Sequence, residues 1–526
     1  MASIHRMDRP KIGGNVESLS NKLKSKIRSW LEIQEMDGIK VSVLNGLDYE
    51  SNALKNRIWY SGDSNELSEL YKEMAVHRPI DSQKFWAAES TKGLEIQKRH
   101  TGIPGMIIDT LADIVLADFN GISFDAEEGS SSIWETIARD NDFDNLLEEA
   151  VKMTLCVGDG AFKISVDTDL TNSPIIEYWP GDQIEIVQKR GRIQELIFKS
   201  IYSCEAKKYE LHEIYGYGYI KYELYYNEKQ VPLSTITKTA NLETVTFAGG
   251  ELLENDEVLK RGAYMMALPI KFGRSGKWKC RGLSILDRKE DSFDSLDETW
   301  SQWMDAIRAG RTKQYIPETM IPRNEENGAL IKPNPFDNRY IRTKADMTEN
   351  ADNKILVESP VIQHESYMAS YITALDLCLQ GIISPSTLGI DTKKLENAEA
   401  QREKEKTTLY TRQKIIGMIT EVLPELVCTV LKVDAEMKES EGAYHEPRVN
   451  VKFGEYANPS FESQIETVGK GKQYNILSTE AAVDELYGDS KTEDWKHEEV
   501  RRLKEEQGIA VVEEPSVNIE GIDLIE

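Results

Sequence analysis

The chain has 526 residues, of which 40% are hydrophobic and 29% are charged, and its formal net charge is −26. This length predicts two to four domains, and the composition excludes wholesale disorder. The charge argues against tight non-specific binding of DNA, because that binding relies on many Lys and Arg contacts to phosphate. Two interpretations remain: a soluble acidic protein, or a surface past which DNA slides without sticking.

No apolar run approaches the 18 to 20 residues of a transmembrane helix, and Met1 to Leu23 lack the apolar core of a signal peptide. We therefore expect the protein to stay in the compartment where it is made. The five cysteines have no CxxC spacing. That usage suits a reducing cytoplasm and predicts neither a disulfide framework nor a zinc site.

The first half of the chain changes from helical to strand periodicity. Helical spacing predicts helices over residues 15–37, 65–76, 103–118 and 133–155. The segment "YESNALKNRIWYSGDSNEL", Tyr49 to Leu67, is interpreted as a Trp-Tyr pair followed by turn chemistry. From Val157 the apolar period becomes two, so residues 158–272 are predicted to form a meandering antiparallel domain.

Helical spacing returns over residues 281–308, and the stretch from Leu283 to Gly310 has seven acids against three bases. Its apolar residues recur in a narrow heptad seam, formed by Leu286, Phe293, Leu296, Trp300, Trp303 and Ile307. The pattern predicts negative exposed faces around that seam, with both tryptophans in the core. It fits either a surface helix of a monomer or a helix packed within an oligomer.

The next segments alternate between irregular and helical. Prolines interrupt any regular secondary structure over residues 309–360. Residues 361–382 are apolar nearly all round and predict a helix buried on several sides. A Ser-Pro and Gly-containing turn then leads into a charged helix, with a core helix from Ile415 to Val433 that Pro424 is expected to kink. The strand "RVNVKFGEY" and short helices over 461–506 follow, with Ser478 and Thr479 as a predicted cap.

No motif in the sequence predicts catalysis. The "GRSGKWKC" and "GKGKQY" stretches lack the spacing of a phosphate-binding loop. The "HEEVR" stretch at His497 has Arg501 where a second zinc ligand would stand. Dispersed carboxylates carry no signal for an acid and base pair, so we predict no catalytic residue, no metal and no cofactor.

The order of elements is similar to that of the portal proteins of tailed bacteriophages, in the family found in phages of Gram-positive bacteria. The segments that carry the resemblance are Asn56 to Glu73, Asn397 to Ile415 and Val449 to Asp489. It spans residues 20–506 and implies an α+β, portal-like fold. The implied parts are N-terminal helices and a β-rich wing (1–280), a first stem helix (281–308), a clip (309–360), a second stem helix (361–382), a tunnel loop (383–396), a long helix and strand returning to the wing (397–460), an α-helical crown (461–507) and an acidic tail (508–526).

The resemblance also implies a function. Portal proteins form rings, usually dodecameric, at one capsid vertex, and double-stranded DNA passes through the channel during packaging and ejection. They are not enzymes and work without a cofactor. The implied partners are further copies of the chain, the major capsid protein and scaffold, the terminase large subunit, the head-tail adaptor and DNA in transit, with no membrane. The implied location is the virion, after assembly in the host bacterial cytoplasm.

The resemblance assigns roles to three sets of residues besides the stem seam. The tunnel-loop residues expected to face DNA are Ser384, Thr387, Asp391, Lys393 and Lys394. The charged helix between subunits would use Glu399, Arg402, Glu403 and Lys406, and the clip would bind partners through Arg311, Lys313, Arg323 and Arg339. The alternative is a solvated surface helix followed by a core helix, with Lys393 and Lys394 a solvated pair.

Two other classes of protein stay open. A cytosolic carboxylate-dependent hydrolase or nuclease, monomeric or dimeric, requires an acid pair that converges in a pocket. A different virion adaptor protein would assemble only on a partner and would lack the helix–excursion–helix stem.

Overall fold

The computed structural model describes residues 48–506, apart from 78, 90–95, 126–127, 205–206, 253–257, 318–323, 325–339, 344–354, 391–397, 439–446, 455–460, 475 and 488–492. The predicted helix over 15–37 and the acidic tail lie outside the described residues. The chain divides into two compact units, residues 1–453 and 454–526. Helices and several small sheets together form an α+β protein. No helix within the described ranges is long and apolar enough to cross a membrane.

From residue 48 onward, the described part of the first unit starts with five helices: α1 (Tyr49–Ser61), α2 (Ser64–His77), α3 (Ile103–Ala117), α4 (Glu128–Asp140) and α5 (Phe143–Val157). The helices predicted over 65–76 and 103–118 are confirmed. The turn predicted after the Trp-Tyr pair is confirmed, because Gly62 and Asp63 separate α1 from α2, but helix α1 itself was not predicted. Asp48 caps α1 by accepting the backbone N–H of Ser51 at 2.8 Å, and Gly62 ends it with φ 75°.

The single helix predicted over 133–155 is two helices, α4 and α5. Asn141 lies at the break and binds the start of strand β3 (Ile175–Pro180), donating to Pro174 O at 2.9 Å and accepting from Ile176 N at 2.7 Å. Asp142 follows in the left-handed region with φ 49°. Contacts with a distant strand therefore interrupt a helical pattern that is locally continuous.

The strands confirm the antiparallel meander. A three-stranded sheet has the order β12–β2–β3, and a larger one has the order β4–β5–β6–β7–β8 with β9 paired to β7. The strands are β2 (Asp159–Ser165), β3 (Ile175–Pro180), β4 (Ile184–Lys189), β5 (Arg192–Cys204), β6 (Lys207–Gly216), β7 (Tyr219–Tyr226), β8 (Lys229–Val231), β9 (Val245–Thr246), β10 (Glu251–Leu252), β11 (Val258–Lys260) and β12 (Ala267–Lys271).

Residues 281–289, predicted as the start of a helix, form turns. Gly282 passes so close to β2 that a Cβ on it would lie 1.9 Å from Gly158 O. The buried Asp159 holds this segment by accepting the Gly282 N–H at 2.7 Å and the Tyr49 hydroxyl at 2.6 Å. These tertiary bonds replace helical ones, so the helix, α6, spans only Glu290–Ala309.

The remaining elements of the first unit are strand β1 (Phe119–Asp125), strands β13 (Lys313–Pro317), β14 (Tyr340–Thr343) and β15 (Leu356–Glu358), helix α7 (His364–Leu379), the 40-residue helix α8 (Ala398–Met437) and strand β16 (Arg448–Phe453). Pro424 lies inside α8. Strand β16, which the sequence predicted, pairs antiparallel with β1, placing Ile122 opposite Val451.

The second unit contains α9 (Phe461–Gln473), α10 (Thr479–Tyr487) and α11 (Glu493–Glu506). Its short helices are as predicted. The Ser478 hydroxyl accepts the Ala481 N–H at 3.1 Å, which confirms the predicted cap of α10. Tyr487 and Trp495 pack edge to face with ring centroids 4.9 Å apart, joining α10 to α11.

Candidate functional site: a helical hairpin anchored by carboxylates

Helices α6 and α7 form an antiparallel hairpin. At one end, Lys289 Nζ donates to Leu377 O at 2.7 Å. At the other, a Cβ on Gly310 would meet the Ile362 side chain. Between them, the Trp300 and Tyr371 rings lie 5.6 Å apart, and the Trp303 and Tyr367 rings stack nearly parallel at 6.5 Å. The two helices are thus in contact along their length.

A small sheet lies at the far end of this hairpin. Its order is β14–β13–β15, with β13 parallel to β14 and antiparallel to β15. In β15, Leu356 and Val357 are exposed. Arg311 is exposed beside this sheet and the backbone of Lys313 begins β13, whereas Arg323 and Arg339 lie outside the described residues.

Burial decreases along the apolar seam of α6. Phe293 and Leu296 are buried in the main core, Trp300 and Trp303 are half-buried, and Ile307 is exposed. The prediction of core positions for the tryptophans is therefore wrong: they pack on α7 at the helix surface. Leu286 is buried, but it lies in the turn before α6 and is not part of the helical seam.

The prediction that the acids around the seam face solvent is wrong for four of them. Asp287 and the α6 residues Glu290, Asp294 and Asp297, here called the carboxylate stripe, point into the N-terminal helices and the segment after them. Asp287 accepts the amide N–H groups of Asn52 at 2.8 Å and Asn56 at 3.2 Å. Helix α1 thereby binds the base of the hairpin.

Asp297 is the most completely bonded member of the stripe. One oxygen accepts the N–H and the hydroxyl of Thr101, at 2.9 and 2.8 Å. The other lies 2.6 Å from His100 Nδ1 and accepts Trp86 Nε1–H at 3.2 Å. The carboxylate is fully buried, so these four partners replace the water that it loses on folding.

Glu290 and Asp294 show opposite effects of burial. Burial raises the pKa of Glu290, but the charge of Lys55 and the hydrogen bonds from Lys55 and Tyr71 outweigh it, so the pKa lies below its ordinary value. Asp294 accepts only backbone N–H groups, from Phe85 at 3.0 Å and Trp86 at 3.4 Å. There burial prevails and the pKa of Asp294 is raised.

Helix α7 is not buried on several sides in this chain. Ala374, Leu375, Cys378 and Leu379 are buried against the body, but Met368 is 48% and Leu377 is 51% exposed. Nine residues separate these two side chains, which places them on opposite flanks of the helix. The flank with Leu377 borders a groove of about 580 Å³ between the two helices, lined also by Asp291, Ser295 and Thr373.

The described part of the predicted tunnel loop is tied to α8. Residues Pro385–Leu388 form a 3₁₀ turn, ended by Gly389 with φ 71°. Ser384 is buried and its N–H donates to Thr408 Oγ1 at 2.9 Å, so its predicted exposure to DNA is wrong. Thr387 Oγ1 lies 3.1 Å from the same hydroxyl.

Most of the other predicted site residues lie beyond what the structure describes. Asp391, Lys393 and Lys394 are outside the described residues. Glu399, Arg402 and Glu403 lie on α8 by their backbone, but their side chains are not described. Lys406 is exposed on the same helix. The proposed ion pairs among them therefore stay a prediction.

The carboxylate stripe was missed because acids on a helix look like a solvated face. A signal was available: residues 290, 294 and 297 repeat at spacings of four and three, which is one stripe of a helix, and Asp287 continues that spacing into the turn before α6. Their partners lie about 200 residues earlier in the chain. Among the residues that the structure describes, no three His, Cys, Asp or Glu side chains could hold a metal ion.

No protein-family model and no curated protein matches the chain. The structure is similar to one in the virion of a native gene transfer agent particle, with a TM-score of 0.36 and 13% sequence identity over 72% of this chain and 87% of that one. A likeness at that TM-score carries no argument about the fold or the function of this chain.

Proposed function

We propose that this chain is a portal-like virion protein whose copies form a ring around a channel for double-stranded DNA. The observation that best supports this proposal is the α6–α7 hairpin. Buried carboxylates anchor its base, and apolar side chains stay exposed on both flanks of α7. A subunit of a ring contacts one neighbour on each side through two different surfaces. Met368 and Leu377 are placed to serve those two contacts.

The charge of the chain supports the same proposal. Asp291 and Glu298 face solvent on α6, and the whole chain carries a formal charge of −26. A conduit must let DNA pass, and each phosphate contact by Lys or Arg would add affinity that slows translocation. An acidic hairpin offers few such contacts.

The further roles follow from the portal proposal. The β13–β15 sheet would be the clip that the terminase large subunit and then the head-tail adaptor bind, with Arg311 exposed at its edge. The helices of the second unit would be the crown. The protein would act in the virion without catalysis, after assembly with capsid protein and scaffold in the host bacterial cytoplasm.

Introduction of negative charge on the flanks of α7 tests this proposal. Met368→Glu and Leu377→Glu place carboxylates where a neighbouring copy would pack, and both side chains are already half exposed, so the monomer should fold. Leu170→Glu, at a loop position that is 77% exposed, is the matched control. We expect the first two variants to lose the large assembly of the wild type and the control to keep it. Retention of wild-type mass by both flank variants would refute the proposed contacts.

A further inference from the structure

A second feature, separate from the hairpin flanks, is a groove of about 780 Å³ between α2 and the segment Ile96 to His100. Three cations, Lys72, Lys98 and Arg99, line it, and we call it the cation groove. Among the described residues of its lining, Glu89 is the one carboxylate. Its volume falls within the range of small-molecule sites in proteins.

The cations of this groove lack carboxylate partners within the described part of the chain. Lys98 Nζ donates to two backbone carbonyls, Trp86 O at 2.6 Å and Ala88 O at 2.8 Å. The Arg99 guanidinium donates to the neutral amide oxygen of Gln97 at 2.8 Å. In a chain with 26 excess negative charges, three cations that share a groove with one described carboxylate are an unusual arrangement.

A further guanidinium converges on the same acceptor. Arg308 of α6 donates to Gln97 Oε1 at 3.1 Å, so two arginines share one neutral oxygen. Burial and the neighbouring charge of Lys72 lower the pKa of Lys98 to about 8. The nearby Asp294 carboxylate accepts the backbone N–H groups of Phe85 and Trp86 and forms no hydrogen bond with Lys98.

The start of α2 adds hydroxyl groups to the groove without being the site itself. Ser64 and Ser68 line the groove, one helical turn apart. The helix end is already capped, because Asp63 accepts the N–H groups of Asn65 at 2.7 Å and Glu66 at 3.3 Å. The attraction for an anion therefore comes from the lysine and arginine side chains.

We propose that the cation groove binds a phosphate group. Lysine supplies point charges and arginine supplies paired N–H donors, a combination that matches phosphate oxygens, while Ser64 and Ser68 can donate further hydrogen bonds. Binding relieves the repulsion between Lys72 and Lys98. The phosphate is either a free anion or part of a short flexible nucleic-acid strand, since the groove is open to solvent.

The test is calorimetric titration of the full chain with inorganic phosphate at pH 7 and low ionic strength, in a phosphate-free buffer. We expect saturable binding at one site per chain. Lys72→Gln and Arg99→Gln should each weaken binding about tenfold, whereas Lys189→Gln, which removes an exposed lysine at the end of β4, should change it less than twofold. Absence of saturable binding, or wild-type affinity in both groove variants, would overturn the proposal.

A second arm identifies the source of the phosphate. A short single-stranded oligothymidine that binds more tightly than inorganic phosphate, and is weakened by the same two variants, identifies a nucleic-acid strand. Binding of inorganic phosphate alone identifies the free anion. Either result supports the groove as a phosphate site, and neither depends on assembly into a ring.

Discussion

The fully buried Asp297 carboxylate lies 2.6 Å from His100 Nδ1, across 197 residues of sequence. This contact, with the bonds to Trp86 and Thr101, fixes the middle of α6 to the segment that precedes α3. The hairpin is therefore held to the body of the first unit by the inner face of α6.

Replacing Asp297 should destabilise the first unit strongly. Whichever way the Asp297→Asn amide is turned, its NH2 group meets a group that can only donate, either the Thr101 N–H or Trp86 Nε1–H. The free energy of unfolding should therefore fall by about 3 kcal/mol. Urea denaturation followed by tryptophan fluorescence measures it. Glu298→Gln, the exposed neighbour with the same loss of charge, should change it by less than about 0.5 kcal/mol. Equal effects of the two substitutions would contradict the account of the carboxylate stripe.

Glu290 should make the fold sensitive to acid. Its pKa is lowered in the folded chain, so its contribution to stability is fully present above the pKa of the unfolded chain and is lost as the pH falls through the lower folded pKa. Wild type should therefore lose more stability than Glu290→Gln as the pH falls from 6 to 3. Urea midpoints across this range measure the difference, and parallel pH profiles would argue against it.

Thr408 should hold the turn that precedes α8. Its hydroxyl accepts the Ser384 N–H and lies within hydrogen-bond distance of Thr387, so Thr408→Val leaves a buried donor without a partner, at a cost of about 1 to 2 kcal/mol. Amide hydrogen exchange at residues 384–389 should accelerate by about tenfold or more. Thr407→Val, at the position immediately before Thr408, should leave the exchange rate unchanged. Similar exchange rates in both variants would show that the turn does not depend on Thr408.

The strands and several helices could be predicted because their pattern is local. Strand β3 alternates buried and half-exposed residues along "IIEYWP", and the apolar face of α3 repeats at helical spacing. Helix α1 could not, because it buries Asn52, Lys55 and Asn56. Those polar side chains are satisfied by Asp287 and Glu290, more than 200 residues away.

The candidate site was predicted in outline and missed in detail for the same reason. The sequence predicted one helix before and one helix after the proline-rich segment 309–360, and the structure has both, as α6 and α7. The start of α6 was placed nine residues too early because Asp159, a residue of β2, holds the preceding segment in turns. The inward orientation of four acids depends on donors in α1, α2 and the segment between α2 and α3.

The decisive test of a portal-like ring is the native mass of the purified full chain, followed by negative-stain images of the same sample. A ring-forming protein should give a closed assembly of about twelve copies of the 59.8 kDa chain, seen as rings with a central hole. A particle that stays monomeric or dimeric when concentrated, with no rings in the images, would contradict it.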